Sequence, residues 1–451
     1  MRRAFVAGAA SVLCLAGAAA DDDLDRIPAM TPQAAAPALQ TPQAVYLQGD
    51  LALGASRKNL AVQLAPPPSW EARLFLDTRL SWDIGSIVLA YSGRLNLRAE
   101  DGLPFPSRET IRNDLREAYA GWQDAGGLSV ELGRINLKSG VALGFNPTDF
   151  FRTRAVVEPV SADPTVLRED RLGAAMLLAQ QVWAGGSVTL ALAPKLAGDT
   201  PPYANDALPS FDPMFDRTNA RGRALLKASV DVFDLSPEVS IYEENGRTQF
   251  GLNVTDGIGA ATVVYLEWAG GARASLAEAA FADGVRTGVL PPAPVLPVSA
   301  ARGFRNDVAA GVSYTVPPGI TVTLEYDRHD AGFSGDDWRN WFGIGAANPS
   351  AAGPLWFIRG YASDRQEPVA RDSLFVRFDW PDAIVRDLHL TGFVDSDLRD
   401  GSGLAQFAAD YYVSPEWTVG GLVDLDIGGR HTDFGSLPQT ATMLFKVSRY
   451  F

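Results

Sequence analysis

From about residue 45 to its last residue, the chain alternates apolar and polar side chains with a period of two. Between residues 71 and 82, Ala72, Leu74, Leu76, Leu80 and Trp82 alternate with Glu71, Arg73, Asp77, Arg79 and Ser81, Phe75 being the main exception on the charged face. Leu89, Tyr91, Leu95 and Leu97 oppose Ser92, Arg94, Asn96 and Arg98; Leu128, Val130 and Leu132 oppose Ser129 and Glu131. Leu226, Ala228, Val230 and Val232 oppose Lys227, Ser229 and Asp231, while Leu374, Val376, Phe378 and Trp380 oppose Ser373, Arg377 and Asp379. Trp417, Val419, Val423 and Leu425 face away from Thr418, Asp424 and Asp426, and Met443, Phe445, Val447 and Phe451 away from Thr442, Lys446, Ser448 and Tyr450. Successive side chains of a strand point to opposite faces, so each segment predicts a strand with one apolar face. Roughly 14 to 18 such segments, with about 16 as the best guess and many about ten residues long, are what tilted membrane-crossing strands require. A soluble sandwich also has a polar outer face; number and length decide for an all-β transmembrane antiparallel β-barrel.

The punctuation agrees. Asp83-Ile84-Gly85, Ala125-Gly126-Gly127 and Ala184-Gly185-Gly186 predict tight hairpins. Longer irregular stretches fall at 137–169, 196–220, 271–303 and 330–354, with a short helix expected within 272–289 before the Pro291-Pro292-Ala293-Pro294 break. Trp70, Trp82, Trp122, Trp183, Tyr265, Trp268, Trp380 and Trp417 recur near strand ends, where aromatic rings of a barrel form two interfacial girdles.

The two ends of the chain add direction. Arg2 and Arg3 precede an apolar run to about Leu15, then Ala16-Gly17-Ala18-Ala19-Ala20 and Asp21-Asp22-Asp23, the layout of a secretory signal peptide over 1–20. Residues 21–44, rich in Pro, Ala, Thr and Gln, read as a flexible periplasmic arm, leaving 45–451 for the barrel. A terminal Phe451 on an alternating strand resembles the signal by which bacterial outer-membrane barrels are recognised by their assembly machinery. Arg449, third from the end, departs from that pattern, which has an apolar or aromatic residue there. The resemblance implies the bacterial outer membrane as location, and its lipids and the barrel assembly machinery as partners.

Composition narrows the functional classes. Cys14 is the only cysteine and lies within the expected signal peptide, so disulfides and thiol ligands play no part in the expected mature chain. The formal charge is -14, from 39 Lys plus Arg against 53 Asp plus Glu, and loss of Arg2 and Arg3 makes it more negative still. That balance opposes a nucleic-acid partner. No run after the signal is apolar and long enough for a membrane helix.

One internal segment stands apart: Gly133-Arg134-Ile135-Asn136-Leu137-Lys138-Ser139-Gly140-Val141-Ala142-Leu143-Gly144-Phe145-Asn146-Pro147-Thr148-Asp149-Phe150-Phe151-Arg152. A strand ends near Asn136 and runs into a Gly-containing loop with an Asn-Pro-Thr-Asp turn, where Pro147 fixes its own backbone and biases Asn146 away from helix. This Gly-Arg-x-Asn…Asn-Pro-Thr-Asp signature resembles that of a poorly characterised group of porin-like proteobacterial outer-membrane β-barrels, most strongly over residues 115–195. Some members are associated with transporter-like partners of the inner membrane, which implies an envelope transporter partner. Two roles stay open for the loop: a constriction inside the lumen, with Arg134, Lys138, Asp149 and Arg152 controlling passage, or a rigid surface turn.

With the apolar faces toward lipid, the early strands place Arg73, Arg79, Arg94, Arg98, Arg112 and Arg116 in the lumen, and the later strands Glu325, Asp327, Asp379, Asp395, Asp424 and Asp426. Opposed basic and acidic arcs would set up a transverse field that orients polar solutes; the alternative is mutual pairing of these charges in a filled barrel. Enzymatic chemistry finds little support. His329, His389 and His431 have no metal-site spacing, and Asp336-Asp337 lack the spacing of a calcium loop. Asp387 and His389 share a strand face, but no nucleophile elbow or phosphate loop accompanies them. The expectation is a cofactor-free, metal-free, non-enzymatic channel for passive diffusion of small polar or anionic solutes. The alternative is a non-conducting barrel that binds or docks components of an envelope export or lipid-trafficking complex.

Overall fold

The structure, a computed structural model, describes residues 44–103, 110–157, 159–198, 212–232, 235–297 and 302–451. The expected signal peptide and nearly all of the expected arm lie outside the described residues. The alternating segments form strands β1 (Ala44–Ser56), β2 (Trp70–Ile84), β3 (Ile87–Glu100), β4 (Ile111–Gln123), β5 (Leu128–Ile135) and β6 (Ala174–Trp183). They continue as β7 (Gly186–Ala193), β8 (Arg223–Val230), β9 (Glu238–Glu244), β10 (Arg247–Ile258), β11 (Thr262–Arg273) and β12 (Gly303–Val316). The last third supplies β13 (Ile320–His329), β14 (Asp372–Trp380), β15 (Leu388–Asp397), β16 (Gly403–Ser414), β17 (Trp417–Ile427) and β18 (Gln439–Tyr450). Each strand pairs antiparallel with its sequence neighbours, and β18 pairs with β1, which closes an all-β barrel of 18 strands. Closure leaves no sheet edge, so every strand's backbone groups are paired, as a hydrocarbon surrounding demands.

Eighteen is the upper end of the expected range and two above the best guess. Residues 238–258 show how a strand escapes notice: Asn245 and Gly246, both with positive φ (51° and 75°), make a two-residue hairpin turn between a strand of seven residues and one of twelve. The seam is made by the last residues of the chain. Tyr450 lies opposite Tyr46, and the Phe451 N–H donates to the Val45 carbonyl at 2.9 Å.

Burial is inverted relative to a water-soluble protein. Leu132 is 64% exposed, and Val239 and Phe445 are each 53% exposed, all on the outer wall, whereas Asp77, Glu267 and Glu325 on the inner wall are fully buried. Such a surface is stable only against lipid. Trp82, Trp122, Trp183, Tyr314, Tyr411 and Trp417 ring one end of the outer wall, and Trp70, Phe250, Phe304 and Tyr326 the other. Tyr265 departs from the girdle expectation: it points inward, 6% exposed, and its hydroxyl donates to Glu325 at 2.5 Å. Phe75 is also inward, with the Arg94 guanidinium 4.3 Å above its ring, so an aromatic residue fits the charged face as a cation–π partner.

The two ends differ in their connections. The expected tight hairpins, at β2–β3, β4–β5 and β6–β7, all lie at one end. The long segments 136–173, 194–222, 274–302 and 330–371 follow odd-numbered strands and therefore share the other end. They carry helices α1 (Pro164–Glu169), α2 (Phe215–Thr218), α3 (Leu276–Arg286), α4 (Gly335–Ala347) and α5 (Ala352–Arg365). The helix expected within 272–289 is α3, capped by Ser275, whose side chain accepts from the Glu278 N–H. Helices α3, α4 and α5 share an apolar core of Leu276, Ala280, Trp338, Trp341, Leu355 and Ile358, joined by Val62 from the β1–β2 connection. They form a helical cap on the long-loop end.

Candidate functional site

Segment 136–173 turns into the barrel instead of lying on its rim. Its entry is fixed by the Asn136 side chain, which donates to the Arg168 carbonyl (3.1 Å) and accepts from Arg171 Nε (2.6 Å). The descending backbone has no ladder partner, so its N–H groups need acceptors inside the lumen. Two wall carboxylates supply them. Glu267 on β11 accepts from the N–H groups of Val141 (2.9 Å), Ala142 (3.1 Å) and Thr148 (2.6 Å) and from the Thr148 hydroxyl (2.8 Å). Glu325 on β13 accepts from the N–H groups of Leu143 (2.8 Å), Gly144 (2.9 Å) and Phe145 (3.0 Å).

This geometry explains the residue types in the signature. At Gly140, with φ of 86°, a Cβ would lie 1.7 Å from Asn146 Oδ1 and 2.5 Å from Glu267 Oε1. At Gly144 it would lie 2.7 Å from the Phe375 ring. Glycine lets the backbone approach the carboxylates closely. Asn146 Nδ2 closes the turn on the Ala142 carbonyl (2.5 Å), and Phe150 stacks on Tyr242 of β9 with ring centroids 4.6 Å apart.

The returning half touches the rest of the wall. Arg73 of β2 donates to the Pro159 carbonyl (3.1 Å), the Ser161 hydroxyl to Gln406 of β16 (2.8 Å), and Asp163 lies 3.6 Å from Arg377 of β14. Asp170 meets Arg94 (3.1 Å) and Arg116 (2.9 Å), which both also reach Asp77 on β2. The loop thus spans the lumen from wall to wall.

The sequence-derived candidates divide accordingly. Arg134 is buried, donating to the carbonyls of Gly173 and Pro213 and to Thr218. Lys138 pairs with Glu169, and Asp149 with Arg171 at 2.6 Å. Arg152 donates to the Asn146 carbonyl and lies 3.6 Å from Glu367, just beyond α5. Burial pushes the Asp149 and Asp170 carboxyls upward, but the neighbouring guanidiniums, Arg171 and Arg168 for the first and Arg116 and Arg94 for the second, outweigh it and hold both below the ordinary range. Glu367 is also buried, and Arg365 and Arg152 pull it down to about 2.

Of the basic arc, Arg73 pairs with Asp50 (2.8 Å) and Arg98 with Glu100 (2.6 Å); Arg79 lies on the same inward row of β2, half-buried. Most of these arginines are therefore engaged by carboxylates. The acidic arc is less compensated: among the described residues, no ion pair reaches Asp395, Asp424 or Asp426, although Asp424 accepts from Gln406 at 2.6 Å. Asp379 takes His389 Nε2 at 2.9 Å. Asp387, considered beside His389, sits instead in the β14–β15 turn with φ of 65°, so the two do not form a catalytic pair. Asp337 caps α4 with Ser334, and Asp336 pairs with Arg339. No cluster of metal-ligating residues occurs among the described residues.

A cavity of about 610 Å³ lies between the loop and the wall made by β1, β2, β15, β17 and β18. Its charged lining comprises Arg73, Arg152 and Arg168 against Glu71, Asp149, Glu367, Asp395 and Asp424. Phe451 is far from this site; it is 66% exposed on the outer wall, with the Arg449 guanidinium 4.8 Å from its ring centre. Sequence reasoning missed Glu267 altogether. The available signal was a lone acid on the inward face of an otherwise apolar strand, Val263–Trp268.

No family model and no curated protein matches this chain. Among solved structures it is similar to a triple mutant of Rhodopseudomonas blastica porin, at 11% identity over 91% of this chain and 99% of that one, with a TM-score of 0.40. It is also similar to Pseudomonas aeruginosa OccK11 (OpdR), at 12% identity over 91% of this chain and 95% of that one, with a TM-score of 0.49.

Proposed function

We propose that this barrel sits in the bacterial outer membrane and passes small polar solutes by passive diffusion, through a lumen narrowed by segment 136–173. The observation that carries this reading is the suspension of that loop across the lumen by Glu267 and Glu325, with a charged cavity left beside it. A plug without a path would not need a wall lined by Asp395 and Asp424, whose desolvation in a filled interior is costly. Long loops on one end and tight turns on the other suit a barrel whose cap faces outside the cell. Because the basic arc is largely paired, the lumen gives little support for anionic solutes in particular.

Liposome swelling in sugars of increasing size tests the reading. Uptake of the smallest sugars with a sharp size limit is expected; the absence of swelling in every sugar contradicts it. One feature favours the docking alternative. Ile384, 78% exposed at φ of 62°, and Val385 project from the β14–β15 turn at the short-turn end, where an envelope partner would approach. Crosslinking in cells from position 384 to an inner-membrane protein would support that alternative.

A further inference from the structure

A second cavity, about 450 Å³, opens at the long-loop end among the cap, α2 and the ends of β8 and β9. Its size suits a small organic molecule. Five arginines (Arg154, Arg217, Arg221, Arg223 and Arg365) line it against three carboxylates (Glu244, Asp283 and Asp364); Arg365 is also paired with Glu367 across the seam toward the lumen cavity at 3.1 Å, which leaves one positive charge in excess. How these arginines are held matters more than their number. Arg217 donates to the carbonyls of Arg154 (3.0 Å) and Val156 (2.9 Å), and Arg223 to that of Thr218. A carbonyl satisfies a donor without cancelling its charge, so the positive field of both persists in the cavity. Arg221 donates to Asp283 at 3.4 Å and lies 3.8 Å from Glu244, long contacts that a better acceptor can replace.

The rest of the wall is apolar. Leu64, Trp356, Phe357 and Tyr361 contribute to it, and the Arg365 guanidinium lies 5.6 Å from the Tyr361 ring centre. Arg223 Nε and Trp356 Nε1, buried donors of lining residues, have no acceptor among the described residues. Excess positive charge beside aromatic faces selects a particular chemistry: a carboxylate to meet the guanidinium fork, and a flat apolar body to cover the rings.

The seam toward the lumen cavity is thin. The Arg154 N–H donates to the Asp364 carbonyl (2.6 Å) and Gln366 Nε2 to the Arg152 carbonyl (2.9 Å); residues 153–154 and 364–365 face this cavity, and 152 and 366–367 face the lumen one. The lumen lining carries five carboxylates against three arginines, the opposite sign of excess.

We propose that the mouth cavity is a capture site for small organic carboxylates with an aromatic or apolar body, which bind there before crossing the 152–154/364–367 seam. The acidic lining beyond the seam weakens their hold and promotes release onward. This rests on the channel reading only for the direction of travel; binding itself does not require conduction.

Calorimetry on the purified full chain in detergent, with benzoate as probe, tests the site. Benzamide serves as the neutral isostere and inorganic phosphate as the anion without an apolar body. Benzoate is expected to bind, and benzamide and phosphate at least about tenfold more weakly, the equivalent of losing one charge-assisted hydrogen bond or the ring contact. Arg221→Gln is expected to weaken benzoate about tenfold with an unchanged melting profile, and Tyr361→Leu to weaken benzoate while leaving phosphate as it was. Equal binding of benzoate and benzamide, or benzoate binding unchanged in both folded variants, overturns the proposal. Conductance in bilayers without benzoate binding sinks the capture site alone; benzoate binding without conductance sinks the channel reading alone.

Discussion

Two parts of the long-loop end of the barrel, the helical cap and segment 136–173, are held in opposite ways. The cap formed by α3, α4 and α5 has an apolar core, with Trp341 and Leu355 fully buried and the Trp341 indole donating to the Leu355 carbonyl. Segment 136–173 packs its apolar residues on the wall and hangs on buried polar groups: the carboxylates of Glu267 and Glu325, the Asp77–Arg94–Arg116–Asp170 cluster and the Asp149–Arg171 pair. The cap is sensitive above all to lost volume, with one buried ion pair, Arg359–Asp433 at 2.6 Å, beside its aromatic rings. The loop is a fixture of the wall, its apolar residues packing on wall residues and its backbone dependent on the wall's acceptors, because a buried N–H left unpaired costs about 1–3 kcal/mol.

The largest effect should come from the cap. Trp341→Ala removes its central ring and should cost about 3–5 kcal/mol, seen as protease cleavage within 335–365 while the barrel resists. If barrel and cap were instead lost together, the cap would not be a separate core. Next is Gly140→Ala, which combines a left-handed backbone with a clash against Glu267; about 2 kcal/mol should appear as a lowered melting temperature and a changed conductance, with the cap's protease resistance intact.

A pH series sharpens the contrast further. Because burial is outweighed by arginines, Asp149, Asp170 and Glu367 titrate below their ordinary values, so their contribution to docking is complete above the ordinary carboxylate range. It is lost as pH falls through the lowered values, which for Glu367 means between 4.5 and about 2. The protease resistance of segment 136–173 should therefore hold down to about pH 4.5 and fall below it, whereas the cap's protease resistance should not follow the same curve. The smallest effect is expected at the exposed Arg339–Asp336 pair on α4, where Arg339→Ala should leave both readouts unmoved.

What the sequence revealed follows the same division. Strand faces were legible because a barrel in lipid repeats one rule on every strand: apolar out, polar in. Even the inward rows of Arg73, Arg94 and Asp424 could be read from parity. Of the cap, α3 is legible as a helix but α4 and α5 are not, although Trp338, Trp341, Phe342 and Gly345 are spaced as one helical face, because the Gly and Pro residues between 343 and 354 look like loop punctuation. The loop's signature was visible as a motif, but its acceptors lie more than a hundred residues away, at Glu267 and Glu325. No local pattern reports a contact of that range. The charge arcs were half legible: sign and facing could be inferred, but pairing depends on Asp170, which arrives from the loop and neutralises Arg94 and Arg116.

The central claim is that Glu267 and Glu325 hold segment 136–173 across an otherwise conducting lumen. Single-channel conductance of the mature protein and of a Glu267→Ala/Glu325→Ala variant, in planar bilayers at neutral pH, tests it most directly. The account predicts discrete openings for the native chain and openings at least about twofold larger for the variant, since a detached loop unblocks the cross-section that it occupies. Equal conductance in the two proteins, or silence in both, would contradict it.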